Sequence, residues 1–141
     1  MSGEAVKLHF LVDGEDFTSA GQASVQVKKS LRQLGISPEI IRKVSIAMYE
    51  GEINMVIHAG GGEANVLIYE DRIEIDLIDQ GPGIANIDLA MQEGFSTAPD
   101  NIRSLGFGAG MGLPNMKRYT DSMKIDSELG RGTRILMTVN L

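Results

Sequence analysis

Residues 106–114 read Gly-Phe-Gly-Ala-Gly-Met-Gly-Leu-Pro, with glycine at every second position from 106 to 112. Alternating glycines disfavour the interior of a strand or helix, because each costs roughly 0.5–1 kcal/mol there relative to alanine. A backbone without Cβ atoms can instead turn its amide N–H groups toward an anion, and a helix is predicted to begin just after this run. The stretch therefore predicts a loop that holds phosphate.

The composition is that of one acidic globular domain, which we expect to span residues 1–141. The hydrophobic fraction of 43% is enough for a substantial core. The formal net charge is −6 and no basic cluster exceeds two adjacent residues, which argues against a nucleic-acid partner. No apolar run approaches the ~18 residues of a membrane span, and the first residues lack the pattern of a signal peptide. Because the chain also has no cysteine, we expect a cytoplasmic protein without a membrane partner.

Apolar periodicity divides the chain into elements whose order favours an α+β fold. Strands are predicted at 6–12, 64–70, 72–79, 123–128 and 133–140. Helices are predicted at 18–34, 38–59 and 113–121, with a short helical possibility at 87–92. The glycines at 60–62 are expected to end the second helix. We expect a two-layer sandwich, a mainly antiparallel mixed sheet with helices on one face.

Glu50 and Asn54 lie four residues apart on the second predicted helix, so their side chains share one face, about 6 Å apart along the axis. A carboxylate can accept a proton, and an amide oxygen can complete the coordination shell of Mg²⁺ without adding charge. The same spacing also fits a solvated pair on an exposed face. Gly51, a poor helix former, indicates that something packs closely against this turn. His58, one turn beyond Asn54, either faces the same site or packs at the helix end.

Asp79-Gln-Gly-Pro-Gly follows a predicted strand directly. An aspartate at this position can accept a hydrogen bond from an exocyclic amine, and Gly81 and Gly83 allow a flat ring to approach the backbone. The segment fits plain turn chemistry equally well. Gly132-Thr133 begins the last strand, where the pair is either a turn or a hydroxyl that assists in binding a base.

Taken together, these motifs resemble the N, G1, G2 and terminal boxes of the GHKL (Bergerat-fold) ATPases and kinases. They are Glu50-x-x-x-Asn54, Asp79-x-Gly81-x-Gly83, Gly106-x-Gly108-x-Gly110 and Gly132-Thr133, and the likeness spans residues 37–135. Residues 93–97 (Glu-Gly-Phe-Ser-Thr) and 108–118 (Gly-Ala-Gly-Met-Gly-Leu-Pro-Asn-Met-Lys-Arg) look like the small anti-sigma-factor and stressosome switch-protein serine kinases. The resemblance implies a Bergerat ATP-binding fold.

The resemblance also implies roles at the matching positions. Asp79 would bind the adenine amine, with Gly83 and Thr133 helping through water. Asn54 would coordinate the Mg²⁺ that bridges the phosphates, and Glu50 would act as general base toward a serine hydroxyl.

The glycine run would hold the phosphate chain as part of an ATP lid from about Phe95 to Met111. Its backbone amides would come from Gly106, Gly108, Gly110 and Gly112. Arg103 lies in this lid and is either a cationic finger or an exposed loop charge.

In function, the resemblance implies an ATP- and Mg²⁺-dependent protein serine kinase whose substrate is a STAS-domain (anti-anti-sigma type) protein. Such kinases often also sequester a sigma factor or another output protein, and relatives are commonly homodimers. The alternative is a nucleotide-gated protein-binding module with little or no kinase activity. The chain departs from the family in two places. Glu52 adds a second acid beside the expected base, and residues 98–104 lengthen the lid.

Overall fold

Five strands form one antiparallel sheet, with three helices packed beside it. The computed structural model describes residues 5–13, 21–84, 91 and 112–141. The elements in this part of the chain are β1 (Val6–Asp13), α1 (Gln22–Gln33), α2 (Pro38–Ala59), β2 (Gly61–Ile68), β3 (Arg72–Asp79), α3 (Gly112–Arg118), β4 (Ser122–Glu128) and β5 (Gly132–Asn140). None of these helices is long and apolar enough to cross a membrane.

The order of the strands in space differs from their order in the sequence. The sheet runs β1-β2-β3-β5-β4, and every pair of neighbouring strands that the structure describes is antiparallel. The last strand of the sequence therefore lies between β3 and β4. This arrangement places the end of β3 directly beside the beginning of β5.

The core lies between the sheet and the helices. Alternate residues of β3 and β5 are buried on one face, and they pack with the apolar stripes of α1 and α2. The buried members of these elements are Val27, Leu31, Val44, Met48, Ile73, Ile75, Leu77, Ile135, Met137 and Val139. Met116 of α3 is also fully buried in this cluster. The α+β two-layer prediction is confirmed.

Local sequence signals explain the ends of α2. The Ser37 side chain accepts a hydrogen bond from the backbone N–H of Ile40 at 3.4 Å, and Pro38 occupies the first turn. Gly60 has a left-handed conformation (φ 70°) and ends the helix. The sequence predicted that Gly61 and Gly62 also end this helix, which is wrong. They begin β2, where they pair with Asp13 and Val12.

The end of the third helix and the strand pairing also differ from prediction. The third helix ends at Arg118 rather than 121, and Asp121 instead donates its backbone N–H to the Thr138 carbonyl (2.8 Å) at the start of the β4–β5 pairing. The sheet was expected to be mixed, whereas all its described pairs are antiparallel. The helical possibility at 87–92 lies outside the described residues except for Met91.

Candidate active site

One half of the site is built where β3 ends and β5 begins. Asp79 and Thr133 are opposite each other in the register of these strands. The Oδ1 atom of Asp79 accepts hydrogen bonds from the backbone N–H groups of Gly81 (3.0 Å) and Thr133 (3.1 Å). Both bonds use the same oxygen. Within the described part of the chain Oδ2 has no hydrogen-bond partner, so it can accept one from a ligand.

Hydrogen bonds connect the loop after β3 to the β4–β5 hairpin. The Ser127 hydroxyl accepts a hydrogen bond from the backbone N–H of Ile84 (2.7 Å) and lies 2.8 Å from the Thr133 hydroxyl. The backbone N–H of Gly130 donates to the Pro82 carbonyl at 2.9 Å. At Gly132, φ is 112° and a Cβ would overlap the Asp79 carbonyl oxygen. This position therefore has both a backbone conformation and a close approach that favour glycine.

The other half of the site lies on α2. Its C-terminal end packs on the loop after β3, since a Cβ at Gly81 would lie 2.6 Å from the Cβ of Ala59. From Ala59 back to Asn54 the helix rises about 7.5 Å, and from Asn54 to Glu50 about 6 Å more. Asn54 and Glu50 therefore lie progressively farther along the helix from the contact between α2 and the Asp79 loop.

Glu50 is half-buried and contacts α3. Burial raises the pKa of the Glu50 carboxyl above its ordinary value, and a side-chain hydrogen bond with Asn115 offsets part of this rise. A carboxylate with a raised pKa is a stronger proton acceptor than an ordinary one. Glu50 is thus suited to accept a proton from a group that enters the site.

Glu52 has a different environment, although only one residue separates it from Glu50. Its side chain is 2% exposed and accepts hydrogen bonds from three backbone N–H groups at the start of α1. Burial raises the pKa of the Glu52 carboxyl, and these hydrogen bonds counteract the rise. Glu52 is the second acid that the sequence places beside Glu50, the residue expected to be the base. Its position against α1 and its burial remove it from that role.

Gly51 explains how α2 comes so close to the sheet. A Cβ at this position would overlap the Cδ1 atom of Leu77 on β3 and lie 3.6 Å from the Met116 sulfur on α3. The close packing that the sequence indicated at this turn is therefore confirmed. At position 51, only glycine fits this close approach without displacing the Leu77 side chain.

Comparison with known proteins agrees with this architecture. Residues 16–141 match the family described as histidine kinase-, DNA gyrase B- and HSP90-like ATPase. The chain belongs to this ATPase family. The match includes the strands that carry Asp79 and Thr133 and the helix that carries Glu50 and Asn54.

Curated members of the family include close matches over most of their length. The anti-sigma F factor of Clostridium acetobutylicum is 34% identical over 94% of this chain and 90% of its own. The serine/threonine-protein kinase RsbT of Bacillus subtilis is 33% identical over 85% of both chains. Among solved structures, the RsbU and RsbW domains of Rv1364c from Mycobacterium tuberculosis match with a TM-score of 0.65 at 17% identity, over 95% of this chain and 32% of that one. The SiaB–SiaC complex of Pseudomonas aeruginosa matches with a TM-score of 0.56 at 11% identity, over 95% of this chain and 89% of that chain.

The described residues fit the adenine nucleotide that an ATPase of this family binds. Among the described residues the Oδ2 atom of Asp79 has no hydrogen-bond partner and can accept one from a ligand, and Thr133, whose backbone N–H donates to Oδ1, lies at the same end of the sheet. The structure shows no cluster of three or more acidic or histidine side chains that could hold a metal ion in its described part. A Mg²⁺ ion held by Asn54 would therefore take its other ligands from phosphate and water.

Part of the predicted site lies outside the described residues. Arg103, Gly106, Gly108 and Gly110 belong to this group, and so does the whole span proposed as the ATP lid. Gly112 is the first residue of α3. The His58 backbone lies in the last turns of α2.

Two residues of the site were not found by sequence reasoning. Asn115 contacts Glu50 from the first turn of α3, and Ser127 joins Thr133 to the loop after β3. Asn115 follows the Gly-Leu-Pro signal of a helix start. Its proximity in sequence to the glycine run could have identified it as a candidate site residue. Ser127 has no such signal, because only the pairing of β4 with β5 brings it near Thr133.

Proposed function

We propose that this ATPase-family protein is an ATP- and Mg²⁺-dependent protein serine kinase. The observation that carries the proposal is the half-buried Glu50, whose pKa is raised by burial and whose side chain is oriented by Asn115. Hydrolysis or transfer of phosphate needs a group that receives the proton of the attacking hydroxyl. The similarity to a serine/threonine-protein kinase over 85% of both chains supports a protein hydroxyl as the acceptor.

Each proposed role follows from the position of the residue. Asp79 accepts a hydrogen bond from the adenine amine, with Gly81, Gly83 and Thr133 forming the surrounding pocket. Asn54 holds Mg²⁺, and Glu50 accepts the proton of the serine hydroxyl whose oxygen attacks the terminal phosphorus. When bound, Mg²⁺ supplies charge neutralisation on the phosphate oxygens.

The lid is assigned by its sequence. The backbone amides of Gly106, Gly108, Gly110 and Gly112 are proposed to hold the phosphates, and Arg103 is proposed to stabilise charge on the transferred group. Their roles remain proposals that rest on the glycine pattern and the family membership.

The proposed substrate is a STAS-domain regulator of the anti-anti-sigma type. Anti-sigma F factors match more than nine tenths of this chain, which supports a partner-switching role with a sigma factor or another output protein as second partner. A homodimer and a cytoplasmic location are proposed on the same basis. We propose no nucleic-acid or membrane partner.

Phosphate transfer from labelled ATP to a candidate STAS protein tests the kinase proposal. Glu50→Gln should reduce transfer by roughly 100-fold or more while ATP affinity stays within about threefold, because the amide cannot accept the proton. Glu39→Gln is the matched control, since its side chain is 81% exposed on the same helix. Equal transfer by wild type and Glu50→Gln would contradict the role of Glu50 as base.

A second candidate function is a nucleotide-gated binding module with little or no catalysis. It is favoured by the curated relatives that are named only as anti-sigma factors. Under this proposal, Glu50→Gln captures the partner as wild type does in the presence of ATP. Capture that depends on nucleotide, without any phosphate transfer by wild type, would support the module over the kinase.

A further inference from the structure

Glu52 forms the N-terminal cap of a helix other than its own. Its Oε2 atom accepts hydrogen bonds from the backbone N–H groups of Gly21 (2.9 Å) and Ala23 (3.3 Å), and its Oε1 atom accepts one from Ser24 (2.6 Å). The first N–H groups of any α-helix lack partners within the helix. At α1, Gly21 occupies the capping position without a side-chain bond, and the first turn has no acidic residue. The Glu52 carboxylate on α2 therefore supplies the hydrogen-bond acceptors that the side chains of α1 do not provide.

A buried carboxylate is a costly way to cap a helix. Taking an ionised group out of water carries a large desolvation penalty, and a helix can be capped at the surface by serine or aspartate for far less. Glu52 is 2% exposed, and among the described residues it makes no ion pair with a cation. Its partial compensation comes from three N–H groups and from the positive end of the α1 dipole. Such a cap rigidly joins two helices, whereas a local cap would stabilise α1 alone.

The turn of α2 that contains Glu52 contacts three other parts of the fold, namely α1, the sheet and α3. On the α1 side, Gly21 also lies against the Tyr49 ring, where an added Cβ would be 3.0 Å from Cε1. On the sheet side, Gly51 packs directly on Leu77. On the α3 side, Glu50 is hydrogen-bonded to Asn115. Consecutive residues of one turn therefore contact α1, α3 and the sheet.

We infer that Glu52 is a positioning residue for phosphoryl transfer, which holds the α2 turn in register so that Glu50 meets Asn115 and faces the acceptor. The inference rests on the proposed function for its consequence in catalysis. Its structural part, the effect of Glu52 on the contact between Glu50 and Asn115, does not depend on kinase activity. Glu52 acts through the N-terminus of α1 and touches neither substrate nor nucleotide.

Glu52→Gln tests the inference with little change in side-chain volume. The amide keeps one acceptor oxygen but places N–H donors opposite backbone donors, so at least one bond to α1 is lost. We expect single-turnover transfer at saturating ATP to fall on the order of 10- to 100-fold, because a misplacement of about 1 Å has effects of this size. ATP affinity should change by less than about threefold, since Asp79 is on another element.

The control separates positioning from general stability. Ser37→Ala removes the cap at the far end of the same helix and should lower the urea midpoint of unfolding. If Glu52 contributes only stability, Glu52→Gln will match Ser37→Ala, with transfer within about twofold of wild type below the melting temperature. That result would overturn the inference.

An NMR measurement monitors the contact between Glu50 and Asn115 and does not depend on catalysis. In ¹⁵N-labelled protein, the side-chain amide signals of Asn115 report its hydrogen bond with Glu50. These signals should move in Glu52→Gln and stay in place in Ser37→Ala. If wild type transfers no phosphate, the proposed function fails while this measurement still decides the inference. Unmoved Asn115 signals in a folded Glu52→Gln variant would overturn it.

Gly21→Ala disturbs the same junction without changing Glu52. The residue has φ of 97°, which alanine rarely adopts, and its new methyl group would lie 3.0 Å from the Tyr49 ring, so the contact between α1 and the Tyr49 turn is disturbed. We expect the same displacement of the Asn115 signals and the same direction of change in transfer. This variant decides the inference if Glu52→Gln does not fold, and wild-type signals and rates in Gly21→Ala would then count against it.

Discussion

Glu50, Glu52 and Asn54 belong to five consecutive residues of α2 and differ in what surrounds them. Glu50 is half-buried beside Asn115, whereas Glu52 is enclosed and capped by the backbone of α1. The two acids have the same chemistry in solution. Their environments make one available to a substrate and the other part of the framework. Asp79 combines both situations in one side chain, since Oδ1 is bonded to backbone while Oδ2 has no partner among the described residues.

Asp79→Asn should abolish ATP binding without unfolding the protein. The asparagine carbonyl oxygen can still accept the bonds from Gly81 and Thr133, while the amide nitrogen replaces Oδ2 and presents a donor to the adenine amine. We expect affinity to fall by about 100-fold or more, since an unpaired polar contact of this kind has a large cost. Calorimetric titration with ATP measures it, with Asp76→Asn as control on the opposite face of the same strand. Retained affinity would place the nucleotide elsewhere.

Glu50→Gln should make the nucleotide-free protein more stable at neutral pH. Because burial raises the folded-state pKa of Glu50, its contribution to stability is fully present below the unfolded-state pKa and is lost as pH rises through the folded-state value. The glutamine variant avoids this loss and can still accept a hydrogen bond from Asn115. Urea unfolding at neutral pH and near the ordinary carboxyl pKa measures the difference between variant and wild type, which should shrink in acid. A less stable variant at neutral pH would contradict the assignment.

At the scale of elements, α2 connects the two halves of the site and depends on its contacts with the sheet. Its turn at Gly51 lies directly on Leu77, and its end at Ala59 lies on Gly81. A rigid helix between these points fixes the distance from Asp79, the proposed adenine contact, to the carboxylate of Glu50, the proposed base. This distance is set by the rise of the helix and not by loop residues.

Gly51→Ala should destabilise the protein, although alanine is the better helix former. The substitution gains up to about 1 kcal/mol of helix propensity. The new methyl group overlaps Leu77, and overpacking of this kind costs typically 1–3 kcal/mol, so packing decides the sign. Urea unfolding should show a lower free energy of unfolding. An increase in the free energy of unfolding would mean that β3 moves away from α2 at little cost.

Ser45→Ala should stabilise the protein, in contrast to Gly51→Ala on the same helix. The Ser45 hydroxyl is buried and, among the described residues, has no hydrogen-bond partner. Its removal eliminates an unsatisfied group and improves helix propensity, so stability should rise by about 0.5–1 kcal/mol. The same unfolding measurement checks it, and a loss of stability would show that the hydroxyl has a partner in solution.

For the whole molecule, much of the fold followed from periodicity and from residues that begin or end helices. Ser37-Pro38 and Gly60 bound α2 as predicted, and β3 spans the predicted residues 72–79. The position of β5 between β3 and β4 could not be predicted, because strand order depends on pairing between distant segments. For the same reason, the sequence did not show that Ser127 meets Thr133. It also could not separate Glu52 from Glu50, since only the packing of α1 gives Glu52 its partners.

Binding of Mg²⁺-ATP should stabilise the whole domain. A ligand that binds only the folded state at about 100 times its dissociation constant adds about 2.7 kcal/mol. For a domain of this size that corresponds to a rise of roughly 5–10 °C in melting temperature. Thermal unfolding with ATP and Mg²⁺, with ATP and EDTA, and without nucleotide measures the shift and its metal dependence. No shift at millimolar Mg²⁺-ATP would contradict nucleotide binding.

The place of β5 in the sheet has a consequence for how the protein is made. Asp79 is synthesised 54 residues before Thr133, the strand partner that completes its surroundings. Until β5 leaves the ribosome, β3 has an open edge and β4 has no neighbour in the described sheet. A nascent chain that lacks β5 therefore cannot assemble the surroundings of Asp79, and the competence to bind nucleotide that we propose for this site arises in one late step of translation.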